Sequence, residues 1–289
     1  MLNLSRDRGE DFQFVLTKYA IERILYRLAK SEYAADFILK GASLIAVWTG
    51  SERRPTRDVD FPGLGDLTDE RIRKIFQHIC LVDVEPDGME YDPETIQIED
   101  IREGQANEGR RVRIRSNLGN ALAVVQIDIG QGDPVTPKAK KITYPTLLEF
   151  PAPEILAYPP ESVVAEKLEA LVSLGIVTSR VRDLYDLLLL ASSFDFEGSI
   201  LVRAIKATFS KRGTMIPREA PAVLTDEFAR TEEKQRQWNA FLTRSRLEAS
   251  HLELVDVIEL LRKFLLEPLA SAADEEKFSL KWIAGGPWV

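Results

Sequence analysis

Two aspartates separated by a single residue give this chain its clearest chemical signal. They lie in RPTRDVDF, where Asp58 and Asp60 flank Val59 at the head of a strand-like stretch that ends at Phe61. In an extended strand, alternate side chains share a face, so both carboxylates point the same way with Cα atoms about 7 Å apart. Like charges held side by side are unfavourable unless something positive lies between them. A divalent metal ion and a neighbouring arginine are the two candidates. The bland alternative makes Asp58 a loop cap and Asp60 a surface ion-pair partner.

Two other stretches favour the metal. Upstream, KGAS (Lys40, Gly41, Ala42, Ser43) sets a glycine turn and a hydroxyl at the mouth of an apolar helix. Backbone N–H groups and the helix dipole at such a place attract phosphate. Downstream, AVVQIDIG carries Asp128 between Ile127 and Ile129. A carboxylate in an apolar strand is costly unless it is paired or binds a metal. If that strand lies beside DVDF, Asp58, Asp60 and Asp128 converge. Mg²⁺, or Mn²⁺ in its place, prefers such an oxygen set, completed by phosphate oxygens and water.

Composition narrows the chemistry by exclusion. The 289 residues include only two histidines, His78 and His251, and one cysteine, Cys80. A Ser–His pair or a His-rich zinc site has almost no raw material, and an internal disulfide framework has none. The lone cysteine fits a reducing cytoplasm. The polar start, MLNLSRDRGEDF, lacks the apolar stretch of a signal peptide, and no run of eighteen apolar residues suggests a membrane span. A cytoplasmic protein with no membrane partner is expected. The net charge of −8 is unevenly spread. Residues 200–250 lean basic, with Lys206, Lys211, Arg212, Arg218, Lys234, Arg236, Arg244 and Arg246.

The elements that must position these groups follow from periodicity. FQFVLTKYAIERILYRLAKSEYAADF has helical spacing and reads as an opening helix, and SLIAVWTG ends at Gly50, a natural helix stop. LTDERIRKIFQHICLV opens with a Thr-based cap and reads as an amphipathic helix. TIQIEDI, RRVRIRSNL, ALAVVQIDIG and KITYPTLLEF alternate or are β-branched, with turns expected around NEG and NLGN. Beyond the prolines of PAPEILAYPP the period becomes helical through ESVVAEKLEALVSLG, VRDLYDLLLLASSF, GSILVRAIKATFSKRG, EEKQRQWNAFLTRS and LELVDVIELLRKFLLEPL. The expected fold class is α+β: an N-terminal core (1–158) with a short mixed sheet flanked by helices, then a C-terminal helical bundle (159–289).

The combination KGAS…RPTRDVDF…QIDIG…AEKL…RDLYDL resembles the AbiEii/MenT-like nucleotidyltransferase toxins, within the polymerase-β-like nucleotidyltransferase superfamily. Arg54, Thr56, Asp58 and Asp60 match that family's Arg-x-Thr-x-Asp-x-Asp string, although Ala42 interrupts the Gly-Ser pair of the wider superfamily. The resemblance implies an NTP-dependent enzyme that releases pyrophosphate. It implies nucleotide-binding roles for Lys40, Gly41, Ala42, Ser43, Arg54, Thr56 and Lys167. It also implies catalytic roles for Asp58, Asp60, Lys167 and Asp183, where residue reading alone gives a solvated helix face for Lys167 and a dipole-favoured first-turn charge for Asp183. Metal ligation by Asp58, Asp60 and Asp128 is expected.

The same resemblance implies transfer of a nucleotide, preferentially from a pyrimidine triphosphate, to the 3′ end of tRNA, which would arrest translation. It implies a cognate antitoxin of winged-helix type encoded alongside. The basic stretch at 200–250, with Trp238 for base stacking, is the expected RNA contact, and the helical domain is expected to complete the active site. A protein or small-molecule acceptor, or a non-catalytic binding module, remains an alternative reading.

Overall fold

The structure, a computed structural model, describes residues 1–50, 58–63, 68–103, 107–132, 135–245, 247 and 252–289. Arg54 and Thr56, two of the expected nucleotide-binding residues, lie outside the described residues. The chain divides into two units: Met1–Trp48, Pro55–Gly132 and Ala139–Ala157 form the first, and Thr49–Arg54, Asp133–Lys138 and Tyr158–Val289 the second.

In the first unit, alternation builds a five-stranded sheet from β2 (Asp58–Gly63), β3 (Met89–Tyr91), β4 (Gln97–Glu103), β5 (Asn107–Leu118) and β6 (Ala121–Gln131). The order is β2-β6-β5-β3, with β4 also on β5. β2 pairs with β6 in parallel and the remaining pairs are antiparallel, so the sheet is mixed. The β5–β6 hairpin turns at NLGN, where Gly119 takes a φ of 58° that a side chain would resist. Val59, Phe61, Val112, Ile114, Ile127 and Ile129 are buried on one face. The alternate positions leave Asp58, Asp60, Arg111, Arg113 and Asp128 on the other, polar face.

Helices α1 (Leu2–Arg8), α2 (Phe12–Lys30), α3 (Gly41–Thr49) and α4 (Asp69–Cys80) belong with this sheet, as does a smaller sheet of β1 (Ile38–Leu39), β7 (Lys140–Thr143) and β8 (Glu154–Ala157). The face of α2 buries Val15, Leu16, Ile24 and Leu25, while Phe37 stacks edge-on to Phe61 and Phe76. The hairpin expected around NEG joins β4 to β5, with Asn107 and Gly109 themselves paired to Glu103 and Ile101 in the ladder. Two expectations are corrected. A strand from KITYPTLLEF stops at Thr143, just before Tyr144-Pro145, because proline cannot donate to a ladder. Thr68 is the N-cap of α4 but makes no side-chain cap hydrogen bond.

The second unit is mainly helical: α5 (Pro160–Leu174), α6 (Val181–Ser193), α7 (Gly198–Arg212), α8 (Asp226–Arg230), α9 (Glu232–Arg244) and α10 (Leu254–Ala273). β9 (Phe196–Glu197) and β10 (Lys281–Trp282) form a short antiparallel pair. The indole of Trp282 donates to Ala191 O at 2.7 Å, which fixes the C-terminal segment to α6. Among the described residues no helix is long and apolar enough to cross a membrane.

One polar knot holds the first unit's helix α2 to its loops. Arg27 makes a two-pronged bond to Asp87 (2.7 and 3.1 Å), and Arg23 approaches the same carboxylate at 3.4 Å. Glu22 accepts from the Leu147 N–H at 2.6 Å, and all four side chains are buried. Burial pushes the Glu22 carboxyl up to about 7; Asp87 adds to the rise, and the Leu147 N–H and Arg23 oppose it. With the folded value above the unfolded one, the folded state holds an extra proton between about pH 4.5 and 7. Stability linked to Glu22 is therefore full below that window and is lost as pH rises through it. Urea melts at pH 5 and 7.5 are expected to show a decline of up to about 3 kcal/mol that Glu22→Gln removes. An equal decline in the variant sinks this assignment.

Candidate active site

The site of the first unit is built where β1 ends and β2 begins. Lys40 N–H donates to Asp60 O at 2.9 Å, and the two residues form an isolated bridge. Gly41 then opens α3 with a φ of 76°. A methyl group at Gly41 would collide with the Asp60 carboxylate, with Cγ only 2.6 Å away. Glycine is thus required twice, for the backbone angle and for the space Asp60 fills. The result sets the Asp60 carboxylate against the amino end of a nine-residue helix. Ser43 is buried in the first turn of α3, and its hydroxyl donates to Lys40 O at 3.3 Å. Ala42 is half-buried beside it.

Asp58 and Asp60 are half-buried on one face of β2, while Val59 between them is fully buried on the other. The parallel pairing sets Asp128 of β6 directly beside Asp60. Asp128 is not free, however. Arg111 of β5 grips it with Nε at 2.8 Å from Oδ1 and Nη2 at 2.7 Å from Oδ2. That hydrogen bonding raises the Arg111 pKa against the effect of burial, with Asp128 and Asp58 adding to the rise. Among the described residues, no group of three His, Cys, Asp or Glu side chains gathers closely enough to hold a metal ion. Strand order brings Asp128 alongside Asp60 as expected, and Arg111 holds it in this structure. Asp58 and Asp60 still suit Mg²⁺, which is commonly bound through one or two carboxylates plus substrate phosphates and waters.

In the second unit, Lys167 lies on the stripe of α5 that buries Val163, Val164, Leu168 and Leu171. A lysine there needs compensation for lost hydration. It finds Asp183 Oδ1 and Asp186 Oδ2 on α6, each 2.7 Å from Nζ. Burial works against the charged amine, but Asp186 and Asp183 outweigh it and raise the Lys167 pKa. Burial likewise opposes the charged form of Asp183, yet Lys167 and Arg180 prevail and lower its pKa. Arg180 reaches Asp183 Oδ2 at 3.2 Å. Lys167 is thus a fixed cation and Asp183 a fixed anion near neutral pH. Sequence reading singled out both but missed Asp186 as their partner; its signal is the three-residue spacing from Asp183 on one helix face. Arg111 was missed as well.

Other expectations fall away. Trp238 is 1% exposed and donates through Nε1 to Leu252 O at 2.7 Å, so it is a core residue and no stacking platform. Lys234 is buried and donates to Thr178 O at 2.9 Å, and Arg212 pairs with Glu169 at 2.6 Å. Arg203, Lys211, Arg218, Arg236 and Arg244 are exposed. Burial pushes the Cys80 thiol up to about 12, which removes it as a nucleophile.

A DxD strand lying against a glycine-opened helix, with a carboxylate strand beside it, resembles the arrangement of a nucleotidyltransferase. The family model for the nucleotidyl transferase AbiEii toxin of type IV toxin–antitoxin systems matches residues 23–262. The chain belongs to this family. No curated protein matches it. Similar solved structures include an H. pylori protein assigned to the nucleotidyltransferases and JHP933 from Helicobacter pylori, both 15% identical with a TM-score of 0.47. The first alignment covers 92% of this chain and 95% of that one, and the second 92% of each. An antigenic nucleotidyltransferase-like protein from Paracoccidioides brasiliensis is 14% identical, with a TM-score of 0.35 over 82% of this chain and 91% of that one.

The packing of Gly41 on Asp60 makes a direct prediction. Gly41→Ala is expected to displace the carboxylate and lower nucleotidyl transfer about 100-fold or more, the scale at which misplacement by an ångström acts. Steady-state transfer rates beside a thermal melt check this. A folded variant with wild-type turnover would remove Gly41 from the site.

Proposed function

We propose that the chain is a Mg²⁺-dependent nucleotidyltransferase toxin that moves a nucleoside monophosphate from an NTP, preferentially a pyrimidine triphosphate, to the 3′ hydroxyl of tRNA. The observation that carries this reading is the Asp60 carboxylate seated on Gly41 at the amino end of α3, with Asp58 on the same face of β2. Asp58 and Asp60 would hold Mg²⁺, which supplies charge neutralisation on the phosphates when bound. The first-turn N–H groups of α3 and the side chains near Ser43 would receive phosphate oxygens. Lys40, Arg54 and Thr56 join this set through the family resemblance.

In the transfer, the acceptor oxygen forms a bond to the α-phosphorus and the bond from that phosphorus to pyrophosphate breaks. Lys167, held cationic by its two aspartates, supplies positive charge to the triphosphate. Asp183 has a lowered pKa and is a poor proton acceptor, so its role in this reading is to orient the acceptor hydroxyl. The proton leaves to solvent or to the departing pyrophosphate. The family pairs a toxin with an antitoxin. We take that antitoxin to be a winged-helix protein encoded alongside. The exposed arginines and Lys211 of the helical unit are the cations offered to tRNA phosphates.

Two experiments test the proposal. Purified protein, Mg²⁺, labelled NTPs and total RNA are expected to give label at tRNA 3′ ends, with CTP or UTP best. Asp60→Ala is expected to lose that transfer by about 100-fold or more, the order seen when a preorganised electrostatic group is removed. Wild-type transfer no higher than that of Asp60→Ala sinks the enzymatic reading, and label in protein or small molecules instead redirects the acceptor. The affinity for tRNA is expected to fall linearly in log–log form as salt rises. Affinity unchanged from low to high salt removes the electrostatic RNA contact.

A further inference from the structure

The charged face of the sheet carries a row that the transferase reading leaves unexplained. Asp60 stands beside Asp128, Asp128 beside Arg111, and Arg111 beside Glu99, on the neighbouring strands β2, β6, β5 and β4. Arg111 is flanked by two carboxylates at the same level, and both help to raise its pKa. It bonds to Asp128, the one next to the catalytic strand. Glu99 is half-exposed and is held instead by Arg113, at 2.9 and 3.1 Å. A purely structural cross-strand pair would need only one partner. Here a second carboxylate, Glu99, stands directly across the other edge of the strand.

We propose that Arg111 is an internal counter-ion: it holds Asp128 until a divalent cation takes that carboxylate, and Glu99 receives the displaced guanidinium. The proposal deepens the transferase reading and rests on it. Asp128 becomes a conditional third ligand beside Asp58 and Asp60, engaged only once Arg111 has swung toward β4. This explains why no three-carboxylate cluster is assembled among the described residues although strand order places the carboxylates side by side. It gives Arg111 a positioning role, since it acts through Asp128. The device keeps the carboxylate pair and its neighbour from repelling one another before the cation arrives.

The test is a titration of Mn²⁺ onto purified, nucleotide-free protein, read as loss of the free-ion electron paramagnetic resonance signal. Arg111→Gln removes the competitor, and its Mn²⁺ affinity is expected to rise about fivefold to tenfold, the scale of a partly exposed charge-assisted pair. Glu99→Gln keeps the Arg111–Asp128 pair but removes the landing place, and its affinity is expected to fall. In an Asp128→Asn background, Arg111→Gln is expected to change nothing, because there is no carboxylate left to release. Arg115→Gln removes an equal charge further along the same strand face and is expected to leave affinity near wild type. The Mg²⁺ concentration for half-maximal transfer is expected to drop in Arg111→Gln. Far-UV circular dichroism verifies that each variant is folded. No gain in Arg111→Gln, a gain that persists without Asp128, or no Mn²⁺ binding in any folded variant overturns the proposal. The Mn²⁺ titration needs no acceptor, so its outcome is separate from that of the label-transfer comparison between wild type and Asp60→Ala.

Discussion

The contact between Asp60 and Gly41 constrains more of this molecule than any other. The carboxylate has room only because residue 41 lacks a side chain, and the strand-to-helix turn exists only because glycine tolerates its φ of 76°. From that contact the rest follows in order. The Lys40–Asp60 bridge ties β1 to β2, parallel pairing of β2 with β6 brings Asp128 alongside, and the β5–β6 hairpin delivers Arg111 to Asp128. A carboxylate, a helix terminus and an arginine thereby reach one small region from four separate stretches of chain.

The two units treat charge differently. On the sheet of the first unit the charged groups are partly open to solvent and stand in a row in which Arg111 lies between Asp128 and Glu99, an arrangement that a ligand can rearrange at modest cost. In the helical unit, Lys167 is half-buried between Asp183 and Asp186, and removing one partner would leave a poorly compensated charge there. The first is suited to exchange of partners, and the second to holding a fixed field.

Much of this was legible from the residues. Long amphipathic helices and alternating strands declare themselves because one face must be buried, and α2, α4, α5, α6, α7, α9 and α10 appear where periodicity sets them. The DxD strand and the lone Asp128 were legible for the same reason, as polar groups in otherwise apolar company. Arg111 was not, because its partner depends on cross-strand register, which is set by the β5–β6 hairpin rather than by any local feature. Gly109 looked like a turn residue, yet it lies within a strand where a Cβ would meet Ile129 O at 3.0 Å. Trp238 and Lys234 looked like surface groups, and composition could not show that both sit on the buried side of α9. Burial of a polar head becomes visible only once its backbone acceptor is in place.

Ser162 offers a final consequence. Its hydroxyl accepts from the Thr136 N–H at 2.9 Å and donates to Thr136 O at 3.0 Å, so a segment from between the sheet strands is fastened to the first turn of α5. The chain leaves the first unit before it has finished building it, and returns at Ala139. Neither unit is therefore a contiguous cassette. A single recombination point could not graft this helical unit onto another transferase core, and a single proteolytic nick near residue 158 would not yield two complete halves.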